Sequence, residues 1–321
     1  MGPVPVYHDP LVLSHDTGPE HPETAGRVAH VVAHLKAAGL PLESPESPER
    51  TLEAVARIHD PRYIARFASA CAAAPEDAQG RAFALFDSAD NPISGSSFDA
   101  ALRSVGLVLA ATDAVLEGRA PAVFVAARPP GHHALAAQAM GFCFFNTIAI
   151  AAADAIAERG LARVLVADFD VHHGNGTQEI FWEDGRVAYL SAHRWPFYPG
   201  TGAADEEGEG RGRGTTVNVP LPAGTGDQGY AGGFVAALEG LAERFRPELV
   251  LVSAGFDAHA DDPLGGMRVT EEGFVRMTEA LHQVASTFAS GRVVALLEGG
   301  YDPSALASSA LEHVRALGPT R

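Results

Sequence analysis

An α/β fold with a mostly parallel sheet and helices on both faces is what this sequence predicts, and three observations carry the prediction. Short apolar runs alternate with alanine-rich segments of helical spacing along most of the 321 residues. The runs are apolar at nearly every position, as strands buried on both faces must be. No low-complexity block, internal repeat or compositional break marks a linker, so residues 1–321 read as one domain.

The elements follow in order. "ESPESPER" (43–50) is a surface loop ahead of a helix. The segment 97–117 has helical spacing, with Ser96 or Ser97 ahead of Asp99 as an N-cap and Gly118 as the stop. "AVFVAA" (122–127) is a buried strand, followed by a helix over 146–159 and a second strand, "ARVLVADF" (162–169). "RVAYLSA" (186–192), "ELVLVSAGF" (248–256) and "RVVALLEGG" (292–300) are further strands, and the helices 229–244, 270–289 and 303–317 complete the pattern.

Four of the five strands end in reactive residues: "RPPGHH", "DFDVHHGN", "GFDAHADD" and "EGGYD". In open α/β sheets, ligands bind beyond the carboxyl ends of the strands, in the loops that lead into helices. One polar strand end is unremarkable, but four at the same edge predict one site.

Charge and composition narrow the partners. With 23 Lys+Arg against 40 Asp+Glu, the formal net charge is −17. Such a field repels phosphate backbones, which argues against a nucleic-acid partner, and it suits either cationic ligands or simple solubility. No run reaches the about 20 apolar residues that span a bilayer, so no membrane partner is expected. "MGPVPVYHDP" has neither the basic nor the hydrophobic region of a signal peptide. Cys71 and Cys143 are too few for a disulfide framework. A cytoplasmic protein is expected; oligomeric state is not legible.

The strand ends also specify chemistry. In "DFDVHH", Asp170 and His172 can reach one metal ion, and Asp257 in "SAGFD" is the obvious third ligand. Two carboxylates and an imidazole suit a divalent metal with positions open to water and substrate, and zinc and ferrous iron both accept that set. A lone D-x-H is more often a cap or a surface ion pair; the second histidine pair and Asp257 favour the metal. His132 and His133, held behind the stiff "RPPG", can supply a base and an acid beside a metal-bound water. Tyr301, after two glycines, can donate to a developing oxyanion, although a tyrosine there is often mere packing.

Taken together, these motifs resemble the histone deacetylase superfamily, which includes acetoin-utilisation proteins, acetylpolyamine amidohydrolases and class II lysine deacetylases. The likeness runs from "GPEHPETAGR" (18–27) to "EGGYDP" through "RPPGHHA", "MGFCFFN", "DFDVHHGNGTQ", "FYPGTG", "VNVPLP", "SAGFDAH" and "DDPLGG". It implies the arginase–deacetylase α/β sandwich, with Asp170, His172 and Asp257 as zinc ligands, His132 and His133 as the tandem histidines, and Tyr301 as the transition-state tyrosine. It implies further that Asp168 holds His132, and that Asp168 and Ser191 with the carbonyls of Asp168, Asp170, His172 and Ala192 bind a structural potassium ion. Gly141, Phe142 and Tyr198 correspond to walls of an acyl-lysine tunnel, and Asp90 to a loop aspartate that grips a substrate backbone. Asn175, neutral where class I relatives carry an aspartate, should leave His133 the more readily deprotonated of the pair, and hence the base; Asp168 should keep His132 cationic.

The resulting expectation is a zinc-dependent amidohydrolase acting on acylated lysine. Acetylated polyamine is the alternative substrate: Leu264 stands where polyamine-specific relatives carry a glutamate, which favours lysine, whereas the acidic run "ADEEGEG" (204–210) suits a polycation. A non-catalytic acyl-lysine binding module would lack a ligand or the phenol, and none is missing. A binuclear arginase-like centre needs a carboxylate where Gly174 stands. "GTGDQG" (224–229) fits a dinucleotide fingerprint only as a lone match after a run broken by Pro220 and Pro222, and no G-x-S-x-G elbow supports a serine hydrolase.

Overall fold

The computed structural model describes residues 3–75 and 84–318. In chain order the strands are β1 (Val6–Tyr7), β2 (Leu42–Glu43), β3 (Ala84–Leu85), β4 (Pro92–Ile93), β5 (Ala122–Val125), β6 (Val164–Asp168), β7 (Val187–Arg194), β8 (Thr216–Leu221), β9 (Leu249–Ala254) and β10 (Val293–Leu297). The helices are α1 (Ala25–Ala37), α2 (Thr51–Ile58), α3 (Pro61–Ala72), α4 (Ser97–Leu116), α5 (Thr147–Arg159), α6 (Asn175–Ile180), α7 (Asp227–Phe245), α8 (Glu271–Phe288) and α9 (Pro303–Leu317).

Eight strands form one sheet in the order β2-β1-β5-β10-β9-β6-β7-β8, and every pairing in it is parallel. The five strands expected from the sequence fall at β5, β6, β7, β9 and β10, in its interior. Their alternate residues enter opposite layers. Leu165, Val250 and Ala295 pack with α1, α7, α8 and α9, while Val164, Leu251 and Val294 pack with α4 and α5. Both faces are therefore covered, which is why these strands read as unbroken apolar runs. β1 and β2, two residues each, are too short to show any period. β8 lies at the edge, where Pro220 can be accommodated without losing a ladder hydrogen bond.

The start of α4 departs from expectation. Neither Ser96 nor Ser97 caps it through its side chain. Ser97 lies inside the helix, where its Oγ accepts from the Ser94 amide at 2.7 Å and meets His15 Nδ1 at 2.7 Å. Gly118 ends α4 as expected, in the left-handed region at φ 73°. A separate hairpin, β3–β4, packs Phe86 and Ile93 into a cluster with Phe67, Val105 and Phe144. No described helix is long and apolar enough to cross a membrane.

Candidate active site

The four reactive strand ends do converge. β6 and β9 are neighbours in the sheet, and just past their ends Asp170, His172 and Asp257 bring their ligand atoms within 4.8 Å of one another. His172 Nδ1 lies 3.1 Å from Asp170 Oδ1 and 3.1 Å from Asp257 Oδ2. The remaining carboxylate oxygens accept backbone amides: Gly299 donates to Asp170 Oδ2 at 2.8 Å, and Val171 to Asp257 Oδ1 at 2.8 Å.

Glycine makes this approach possible. A Cβ on Gly299 would stand 2.2 Å from Asp257 Oδ2 and 2.5 Å from Asp170 Oδ2, and one on Gly255 would stand 2.1 Å from Asp170 Oδ2. Among the described residues neither carboxylate pairs with Arg or Lys; their charged neighbours are histidines. Burial, then repulsion from Asp170, pushes Asp257 up to about 7. His172, opposed by burial but hydrogen-bonded to both carboxylates, rises to about 9. Two buried carboxylates and an imidazole at this spacing fit a divalent cation, which would relieve the repulsion between them.

His132 and His133 follow β5 in a loop held from below by Glu298, whose Oε2 accepts from the Gly131 amide at 2.7 Å. Their rings lie 4.0 Å apart, centroid to centroid, yet their partners differ. His132 Nδ1 meets Asp168 Oδ2 at 3.0 Å, and His133 Nδ1 meets Asn175 Oδ1 at 2.8 Å. Burial opposes a charge on His132, but Asp168 and Asp170 outweigh it and lift the group to about 10. Burial, then the charges of His132 and His172, push His133 well below its usual value. The Asn175 amide nitrogen faces Met140 Sδ at 3.4 Å, which turns its oxygen toward His133. With Asn175 Oδ1 as its acceptor, a neutral His133 donates from Nδ1 and has Nε2 available as a base.

A pocket beyond these strand ends is lined by His132, His133, Asp170, His172 and Tyr301 at depth, with Gly141, Phe142, Tyr198, Leu264 and Asp90 toward the mouth. Tyr198 stands edge-on to His133 at 5.2 Å, and Phe142 edge-on to Tyr301 at 6.1 Å. Gly141 has to be glycine, since a Cβ there would lie 2.4 Å from the His133 ring. Burial pushes the Tyr301 phenol well above 10, so it stays protonated. Asp90 lies at the rim within 3.4 Å of the Tyr198 hydroxyl, and Leu264 is one of the exposed large apolar residues. Ser191 sits beside Asp168 in the β6–β7 register, its Oγ 2.9 Å from His193 Nδ1, and the Ala192 carbonyl accepts from Tyr230 Oη at 2.6 Å.

The histone deacetylase domain model matches residues 21–317. The chain belongs to that family. A "Histone deacetylase-like amidohydrolase" of Pseudomonas aeruginosa is 40% identical over 88% of this chain and 72% of its own. A "Probable deacetylase" of Archaeoglobus fulgidus is 37% identical over 92% and 80%. In structure the chain superposes on an acetylpolyamine aminohydrolase from Burkholderia pseudomallei with a TM-score of 0.85 at 33% identity, covering 98% of both chains. It also superposes on the HDA15 HD domain with a TM-score of 0.88 at 36% identity, over 98% of this chain and 88% of that one. This histone deacetylase-family chain is accordingly an amidohydrolase of α/β fold.

Within the family site, three residues escaped the sequence reading. Glu298 supports the histidine loop from 167 residues away, in "LLEGG". Asn146, fully buried, caps α5 and donates to the carbonyls of His132 and Ala134 at 3.4 and 3.1 Å. Tyr230 Oη lies 3.0, 3.1 and 2.6 Å from the carbonyls of Phe169, Asp170 and Ala192. An uncompensated acid at the end of an apolar run was a usable signal for Glu298, and Asn146, opening the expected helix 146–159, had the residue type of an N-cap; nothing local marked Tyr230. Gly174 closes the binuclear reading twice over, lacking a ligand and leaving no room for one. A Cβ there would meet Asp168 Oδ2 at 2.4 Å and Tyr189 Oη at 2.5 Å.

Proposed function

We propose that the protein is a zinc-dependent hydrolase of acylated lysine side chains. The observation that carries this is the meeting, at one pocket, of the Asp170–His172–Asp257 donor set with the tandem histidines His132 and His133, held by Asp168 and Asn175, and the Tyr301 phenol. Zinc held by those three residues would polarise an acyl carbonyl and lower the pKa of a water. His133 Nε2 takes the proton of the attacking water and later returns it to the departing lysine amine. Tyr301 donates its hydroxyl hydrogen to the carbonyl oxygen as negative charge develops there. His132, kept cationic by Asp168, supports that charge and holds His133 neutral. Phe142 and Tyr198 flank the aliphatic stem of the substrate, and Asp90 accepts hydrogen bonds from its backbone amides.

Acetylated polyamine is the second reading, favoured by the likeness to the Burkholderia acetylpolyamine aminohydrolase over 98% of both chains. Leu264 at the mouth favours lysine over it, because an apolar side chain there offers nothing to a second ammonium. We also propose the potassium site at Asp168, Ser191 and the carbonyls of Asp168, Asp170, His172 and Ala192; the pairing of Asp168 with Ser191 in the β6–β7 register supports it. The test is turnover of acetyl-lysine peptides against acetylspermidine by enzyme of defined metal content. A higher kcat/KM for the peptides is expected, and a strong spermidine preference would reverse the assignment.

A further inference from the structure

The wall of the pocket turns on an unfavourable stretch of backbone. Met140 and Cys143 exchange backbone hydrogen bonds at 3.2 and 3.0 Å around the two residues Gly141 and Phe142, which have φ of 58° and 67°. Left-handed conformation at both central positions is the geometry of a type I′ turn, which favours Asn-Gly. Glycine at 141 meets that demand, but phenylalanine at 142 does not, and a bulky side chain resists this region. The turn nonetheless positions the pocket: it places Phe142 edge-on to Tyr301 and brings Gly141 against His133.

What holds it comes from the hairpin 51 residues earlier. Asn91, fully buried, accepts the Phe142 amide on Oδ1 at 2.9 Å and donates from Nδ2 to the Cys143 carbonyl at 3.1 Å. Asn91 is itself fixed: its carbonyl accepts from Phe86 at 3.0 Å, and its amide donates to Ser88 at 3.3 Å. A parallel tie joins Asp87 Oδ2 to the Ala139 amide at 2.9 Å. The residue before Asn91 is Asp90, at the rim. One carboxamide therefore clamps the strained turn and locks it to the segment that carries the rim carboxylate.

We propose that Asn91 is a positioning residue for substrate binding, setting the Phe142 wall and the Asp90 rim in fixed register so that the pocket fits one acyl-amine stem. It acts through Phe142 and Asp90 and touches no reacting atom, so its loss should appear in KM and acyl selectivity rather than in the chemical step. The inference rests on the hydrolase reading above. Asn91→Ala removes both hydrogen bonds, whereas Asn91→Asp keeps an acceptor for the Phe142 amide and loses the donor to Cys143.

With an acetyl-lysine peptide, Asn91→Ala should raise KM about tenfold, the scale of one or two lost hydrogen bonds, with kcat within about threefold. Asn91→Asp, which sets a buried carboxylate oxygen against the Cys143 carbonyl, should be impaired at least as much. The preference for acetyl over a bulkier acyl group should narrow as the wall loosens, with metal content unchanged. The inference is overturned by an unchanged KM and selectivity in Asn91→Ala. It is overturned equally if both variants lose kcat, metal and thermal stability in step, as a folding defect would. Should the parent enzyme turn over acetylspermidine but no acetyl-lysine peptide, the lysine reading fails, and the same comparison of variants on the polyamine still decides the role of Asn91.

Discussion

Replacing Asn175 with aspartate should move the acid limb of the pH–rate profile toward neutrality. His133 is now paired with a neutral amide oxygen at 2.8 Å and is held well below its usual pKa, first by burial and then by His132 and His172. A carboxylate in that place would stand about 4 Å from the imidazolium charge centre, an attraction of roughly 4 kcal/mol at an effective dielectric near 20. The cost of burying the new anion offsets part of this, leaving about 1–3 pH units. The sign follows from the role: a base works when unprotonated, so a raised pKa means activity begins to fall at a higher pH on acidification. The assay is kcat/KM of an acetyl-lysine peptide across pH 5–9 at fixed metal content, which reports the free enzyme's titrating groups. Asn175→Asp should shift the lower limb upward with little change at the alkaline plateau. An unmoved limb would refute His133 as the base.

Tyr301→Phe should lower kcat about 10²–10³-fold while metal content and KM change little, as measured by steady-state kinetics and elemental analysis. Chelation should abolish turnover and lower stability. A metal present at 100 times its Kd contributes about 2.7 kcal/mol, so the denaturant midpoint should fall on removal and recover on re-addition; an indifferent midpoint would count against the triad as a cation site. Stability should also decline below neutral pH. Burial holds His15, His173 and His313 at about 3 and His59 at about 4. The unfolded chain takes up protons below about 6.5 that the folded chain refuses, so this stability is present above that pH and is lost as pH falls toward 3–4. Each histidine adds up to about 1.4 kcal/mol per pH unit. His313→Leu, at a side chain packed among Phe124, Phe169 and Phe256, should flatten the measured slope between pH 6 and 4.5 by about one proton, and an unaltered slope would contradict its neutral burial.

The linear chain by itself determined the interior of the sheet and which ionisable groups gather at the pocket. β5, β6, β7, β9 and β10 are buried on both faces, so they had to be written as apolar runs. The site lies where those runs stop, so its ionisable residues stand out against apolar neighbours. The tertiary structure alone decided how those groups are tuned and held. The proton on His133 Nδ1 depends on Asn175 being turned by Met140; the shape of the wall depends on Asn91; the height of the histidine loop depends on Glu298. Each of these rests on one or two hydrogen bonds between segments 35 to 167 residues apart. Such a contact leaves no period or composition in either segment. Ser97 shows the same limit in reverse: its local context suits a cap, but the neighbouring His15 and Ser94 claim its hydroxyl. Hydrophobic periodicity is a local property and is legible along the chain, whereas a buried polar partner is selected by geometry that exists only once the sheet has assembled.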